Sequence, residues 1–182
     1  MEDLTVLSDT ILMEKVPTAF FQFPSVFMSD KYTLIKTTDV IRQLKHYGWE
    51  PVEAKQTSKY EKTKRDARYH LIRFRKPHMS ENYYADDSVP EIVMFNSNNG
   101  SCPFRLEAGI FRLVCSNGLI WKEQDMGSLK KKHIGNFDIH EYIESVLKTM
   151  NENLDIIKRM QNTYLSRSIQ LSLARRALDL RF

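Results

Sequence analysis

The residues best suited to chemistry in this chain are its cations, and they are unevenly spread. Nine Lys or Arg lie between Glu53 and Lys76 (Lys55, Lys59, Lys62, Lys64, Arg65, Arg68, Arg73, Arg75, Lys76), against Glu53, Glu61 and Asp66. The segment carries +6 in a chain of formal charge +4, so the remainder is slightly acidic. Concentrated positive charge attracts a phosphate backbone or an acidic protein surface. Alternation predicts a strand over Tyr69 to Lys76, with Tyr69, Leu71, Arg73 and Arg75 on one face and His70, Ile72 and Phe74 on the other. Arginines beside an aromatic on an exposed sheet face can grip phosphates and stack a base, and Lys62, Lys64, Arg65 and Arg68 lead into that face. The plain alternative is a solvated strand whose charge prevents edge pairing.

Lys130-Lys131-Lys132-His133 is a second basic run. On a strand Lys130 and Lys132 point one way, Lys131 and His133 the other, and the run could extend a phosphate-binding groove or simply solvate a hairpin tip. Arg112 sits within an apolar strand and needs a buried partner, which Glu91 or Glu107 could supply as a structural ion pair. Catalysis has weaker support. His70, His133, Glu91, Glu107 and Asp86-Asp87 could build a metal-dependent nuclease site, but their spacing does not demand one. No Walker loop, HExxH, GxSxG or paired CxxC occurs, and Ser101-Cys102 and Cys115 lack an evident base. The sequence therefore implies no catalytic residues, metal or cofactor.

The elements that must position these residues read as an α+β domain. At 182 residues, 42% hydrophobic and 11% aromatic, the chain is long and apolar enough for a core. The absence of a spanning apolar run or secretory leader, with two cysteines expected as free thiols, points to the cytoplasm of a bacterial host cell, without membrane contact. Ser8 caps a short predicted helix over Asp9 to Glu14, and the aromatic run Ala19 to Pro24 is expected to pack on the core. Lys31 to Lys36 reads as a short strand. Thr37 or Thr38 caps a helix carrying Val40, Ile41, Leu44 and Tyr47 on one side and ending at Gly48.

Pro51 to Arg68 reads as exposed strand and loop, and Pro90 to Phe95 as a central strand. Asn96-Ser97-Asn98-Asn99-Gly100 is a strong turn signal, followed by a strand from Phe104 to Cys115 with a possible bulge at Gly109. Short strands are expected at Leu119 to Lys122 and Gly127 to His133. From Ile139 to Met160 apolar residues keep helical spacing, and a second helical stretch runs from Ser166 to Leu180. The expected architecture is an antiparallel β-meander of about four to five strands with one short N-terminal helix and long C-terminal helices. Residues 1–136 form the α+β core and 137–182 a helical region packed on it or projecting from it. The chain stops at Arg181-Phe182 without a capping signal, as expected of a helix continuing in a longer parent.

Five pieces stand out between Ser29 and His133: Ser29-Asp30-Lys31-Tyr32, Thr37 leading the helix to Gly48-Trp49, His70 to Arg75, Pro90-Glu91-Ile92-Val93 and, most specific, Gly109-Ile110-Phe111-Arg112-Leu113-Val114-Cys115-Ser116-Asn117-Gly118-Leu119. In these pieces the stretch resembles the DUF932 family, phage- and plasmid-like proteins of unassigned function. The family's turn of Asn-Ser-His-Asp-Gly type stands here as Asn96-Ser97-Asn98-Asn99-Gly100, without the His-Asp pair, so any chemistry of that pair is missing. The resemblance implies a mobile-element setting but no reaction.

These readings converge on a non-catalytic accessory protein binding nucleic acid, single strands included, through Lys62, Lys64, Arg65, Arg68, Tyr69, Arg73, Arg75 and Lys130 to Lys132. The alternatives are a module that inhibits a host defence complex by protein contact, and a metal-dependent nuclease. The apolar stripe of the long helix suits core packing, or a homo-oligomer through the C-terminal helices.

Overall fold

Alternating apolar residues build the centre of the molecule. The computed structural model describes residues 5–57, 69–77, 89–113, 120–136 and 138–179, without the side chains of residues 89, 112, 113, 120–124, 157, 160 and 161. Five strands follow one another: β1 (Glu50–Gln56), β2 (His70–Arg75), β3 (Val89–Asn96), β4 (Phe104–Leu113) and β5 (Ile120–Lys131). They pair in chain order as an antiparallel meander. The helical elements are α1 (Asp9–Lys15), a 3-10 turn (Pro17–Phe20), α2 (Thr37–His46), α3 (Ile139–Gln161) and α4 (Arg167–Asp179). The α+β meander expected from the sequence is the fold observed.

Register decides which side chains meet. Phe74 lies opposite Ile92 and Ile72 opposite Met94; Ile92 lies opposite Ala108 and Met94 opposite Leu106. All six are fully buried. Each large one contributes about 1.5–3 kcal/mol by leaving water. His70 and Asn96 extend the same face, and Thr37 at the start of α2 bonds to both. Farther along it, a side chain at Gly127 would meet Thr149 and the Val146 carbonyl of α3. Helices α2 and α3 therefore cover this face, burying Val40, Ile41 and Leu44 from one and Ile143, Val146, Leu147 and Met150 from the other. The Tyr47 hydroxyl ties them by donating to Glu144 at 2.8 Å.

Residues through Asn151 form one compact unit, which takes in the first half of α3; a second begins at Glu152. Within the second, α4 has no buried residue.

Four local expectations need correction. Lys31 to Lys36 makes no strand; Tyr32 alone bridges to Ile134. Neither threonine caps α2: Lys36 is its N-cap and Thr37, already helical, turns its hydroxyl into the core. The two expected strands after residue 118 are one, because β5 absorbs an irregular register near Gly109 and Gly127 adopts φ +133°. The aromatic run after Ala19 is only partly buried: Ala19 is inside, but Phe21 and Phe23 face water. The φ of Gly127 lies where L-residues rarely go. Gly127→Ala is expected to cost about 1–3 kcal/mol, read as a lower urea midpoint with an unchanged slope.

Candidate functional site

Position on a strand does not by itself make a cation available. Arg73 projects from β2 beside Glu53 of β1, its register partner, and near Glu91 of β3. Its Nε donates to Glu91 Oε2 at 2.7 Å, its Nη2 to Glu91 Oε1 at 2.6 Å, and its Nη1 to Glu53. Arg75 Nε donates to the same Glu91 Oε1 at 2.5 Å. Arg73 and Glu91 are buried, and Lys55 Nζ closes the group on Glu53 at 2.9 Å. Burial opposes the charge on Arg73, but the hydrogen bonds and attraction of Glu91, then Glu53, outweigh it and raise its pKa. Burial also pushes up the Glu53 carboxyl, yet Lys55 and Arg73 bring it below the usual range. The bidentate Arg73–Glu91 pair, together with the Arg73–Glu53 bond, is a structural clamp across three strands.

On the helix-covered face a chain of hydrogen bonds runs through His70. Asn96 Nδ2 donates to Thr37 Oγ1 at 2.9 Å, and that hydroxyl lies 2.8 Å from His70 Nε2. His70 Nδ1 lies 3.0 Å from Thr18 Oγ1, which itself donates to Gln56 Oε1 at 2.6 Å. The directions follow. The Thr18 proton is committed to Gln56, so Nδ1 carries the imidazole proton and Nε2 accepts from Thr37. Every partner is used when the ring is neutral. Burial pushes the His70 pKa down to about 4. This arrangement is a satisfied core network, fixing the 3-10 turn, β1, β2, α2 and the end of β3 relative to one another.

The same fixation sets the edges of a cleft of ≈ 380 Å³ where the β3–β4 turn meets the end of β5. The Tyr32 hydroxyl donates to the Ser97 carbonyl at 3.0 Å, and its ring stacks on His133 with centroids 4.8 Å apart. Burial raises the Tyr32 pKa to about 12. Gly100 takes φ +71°, and a Cβ there would crowd Met28 Sδ at 3.3 Å. Cys102, Pro103 and Ile134 add apolar wall, and Lys130 and Lys132 stand at the border. Both lysines are exposed and no carboxylate lines the cleft among the described residues. Burial raises the Cys102 thiol pKa. His133 is 5% exposed and neither ring nitrogen has a hydrogen-bond partner among the described residues. Backbone groups of Thr33 and Cys102 face the ring and favour its protonation without completing good bonds; burial outweighs them and lowers the pKa.

An apolar loop adjoins the cleft. Ser25 N donates to the Asn98 carbonyl at 2.9 Å, which pins residues 21–28 to the same turn. Phe23 is 79% exposed, Val26 91% and Phe27 56%. Residues 21–28 thus present several large apolar side chains to solvent.

The geometry can be set beside known proteins. The family described as "Domain of unknown function (DUF932)" matches residues 26–181. This chain belongs to the DUF932 family. It is similar to two proteins of Escherichia coli (strain K12), "UPF0380 protein YfjQ" and "UPF0380 protein YafZ". Each is 30% identical over 178 residues, which cover 94% of this chain and 62% of the relative. The chain thus spans about three fifths of these relatives. No solved structure shows a significant match.

Within this DUF932 chain the sequence-derived site residues divide. Lys62, Lys64, Arg65 and Arg68 lie outside the described residues, and so does Asp86-Asp87. Tyr69 is exposed, but Arg73 is consumed by the ion pair and Arg75 is half-drawn into it, so the exposed arginine face expected of β2 is corrected. Glu91 bonds Arg73 and Arg75, and Glu107 lies 3.7 Å from Arg105; the side chain of Arg112, expected to pair with Glu91 or Glu107, lies outside the described residues. Lys130 and Lys132 line the same cleft, as expected of one side, but His133, expected on the opposite side, lines it with them because regular strand alternation stops where β5 ends at Lys131. His70 and His133 serve different networks, and among the described residues no three metal-binding side chains converge. Tyr32 and the Phe21–Phe27 loop were missed as site residues. The signal for Tyr32 lay in the Ser29-Asp30-Lys31-Tyr32 motif.

Two outcomes follow. Glu91→Ala strands a buried arginine and is expected to cost about 3–5 kcal/mol, whereas Glu91→Leu with Arg73→Met should recover most of that loss; chemical denaturation measures both. Acid should also weaken the fold through His70. Its folded pKa is depressed, so its contribution is full above about 6.5 and is lost as pH falls toward about 4. The loss amounts to about 3 kcal/mol, read as the difference between wild type and His70→Gln in stability measured from pH 7 to pH 4.

Proposed function

We propose that this DUF932 protein is a non-catalytic accessory protein of mobile elements that binds nucleic acid, with single strands as its preferred form. The observation that carries the reading is the adjacency of Lys130 and Lys132, the Tyr32–His133 cleft and the exposed Phe23–Val26–Phe27 loop around one turn. Flexible lysines follow a phosphate backbone and apolar or aromatic side chains take the unpaired bases, which a duplex keeps stacked. The surface differs from the β2 face, because Arg73 is already neutralised by Glu91 and Glu53. The cations of residues 58–68, which lie outside the described residues, remain part of the proposal on their charge alone, and Lys131 remains part of it as a neighbour of Lys130 and Lys132.

A second reading, a module acting on a host protein complex, draws on the same loop, since exposed Phe and Val also suit a protein partner. Fluorescence anisotropy with labelled single- and double-stranded DNA and RNA separates the two. Lys130→Glu with Lys132→Glu is expected to weaken single-strand binding at least about tenfold and to reduce its salt dependence. Binding that is absent at low salt, or unchanged in the folded double variant, overturns the nucleic-acid reading. If Phe23→Asp alone then abolishes capture of one defined protein, the second reading takes its place.

A further inference from the structure

We infer that the Tyr32–His133 cleft is a seat for one nucleotide unit, base inside and phosphate on Lys130 and Lys132. The inference rests on the nucleic-acid reading but can fail separately from it. A volume of ≈ 380 Å³ lies at the small end of ligand sites, about 300–1,000 Å³, and suits a single planar group with a short polar appendage rather than a folded peptide segment.

The chemistry of the lining is one-sided. Pro103 and Ile134 give apolar walls, and the Tyr32 hydroxyl is already committed to the Ser97 carbonyl. Among the described residues the remaining charged groups are two ammonium donors, with no carboxylate to repel an anion. The occupant favoured is therefore an anion with a flat, largely apolar body.

His133 supplies the independent observation. It is part of the cleft wall, nine-tenths buried, and its two nitrogens lack partners among the described residues. Buried polar atoms are nearly always bonded, and one left unpaired costs free energy that an incoming partner recovers. Neither nitrogen is exposed to the cleft as the ring stands, so seating a base requires the ring to turn away from the Thr33 and Cys102 backbone. The neutral imidazole offers one donor and one acceptor, which match the mixed edge of a nucleobase. An aliphatic anion would leave that capacity unused, and inorganic phosphate would leave the apolar walls wet.

The test uses the full chain and nucleoside 5′-monophosphates as the probe, with unphosphorylated nucleosides and inorganic phosphate as controls. Long-range nitrogen–proton NMR spectra follow the ring nitrogens of His133. The expected result is saturable binding by monophosphates, with the His133 nitrogen shifts moving in step. Lys130→Gln with Lys132→Gln should weaken it several-fold. His133→Phe, which retains a stacking ring and so guards against simple unfolding, should also weaken it and remove differences among bases. Shifts produced equally by inorganic phosphate overturn the inference, as does a His133 signal unmoved by any monophosphate. Oligonucleotide binding with an empty cleft leaves the nucleic-acid reading standing and removes this one. Monophosphate binding without oligonucleotide binding does the reverse, and makes the free nucleotide the ligand.

Discussion

A neutral imidazole, buried and bonded on both sides, is the constraint on which the rest of this structure depends. His70 joins Thr37 at the start of α2 to Thr18 in the turn after α1, and through them reaches Asn96 and Gln56. Asn96 also donates to the Ile35 carbonyl at 2.7 Å and accepts from Ser97 N at 2.9 Å. These bonds hold residues 35–37 against the end of β3. Tyr32, a few residues upstream, is thereby brought to the turn whose Ser97 carbonyl it meets. The hydrogen bonds are individually modest, about 1 kcal/mol each, but leaving any member unpaired inside the core costs more. The network therefore fixes geometry more than it adds stability.

The two faces of the sheet solve different problems. The helix-covered face is a conventional core, with His70 and Asn96 as its polar insertions. The other carries the Arg73–Glu91–Glu53 group, where desolvation is offset only because every charge has a close opposite partner. That division explains why the cations most prominent in the sequence are not the ones most available. An arginine at the middle of a meander meets carboxylates from both neighbouring strands, whereas lysines where β5 ends have fewer strands around them. Lys130 and Lys132 are accordingly exposed beside a cleft, although the sequence around them carries less charge than the Glu53 to Lys76 segment.

Much of the fold was legible because its signals are local. The alternation in His70 to Arg75, the Asn-rich turn before Phe104 and the 3.6-residue periodicity from Ile139 onward each specify an element without help from distant residues. The errors arose where distant partners decide. Thr37 looked like a helix cap, but its hydroxyl bonds His70, 33 residues away in sequence, rather than its own helix, and Lys36 is the cap instead. Arg73 looked solvent-facing because period-two alternation says which residues share a face, not whether carboxylates from β1 and β3 close over it. The aromatic run Ala19 to Pro24 looked like core because aromatic content is a correlate of burial and not its cause. For the candidate site, Lys130 to Lys132 could be read in the sequence, whereas the Tyr32–His133 stack joins residues a hundred positions apart and could not.

The most direct measurement is photochemical cross-linking of the full chain to single-stranded oligonucleotides carrying a photoreactive pyrimidine, with the attached residues located by mass spectrometry. The account predicts adducts on Tyr32, His133 and the Phe21–Phe27 loop, lost when Lys130 and Lys132 are both replaced by Glu. Adducts confined to β2 or to α4, with these segments unmarked, would contradict it.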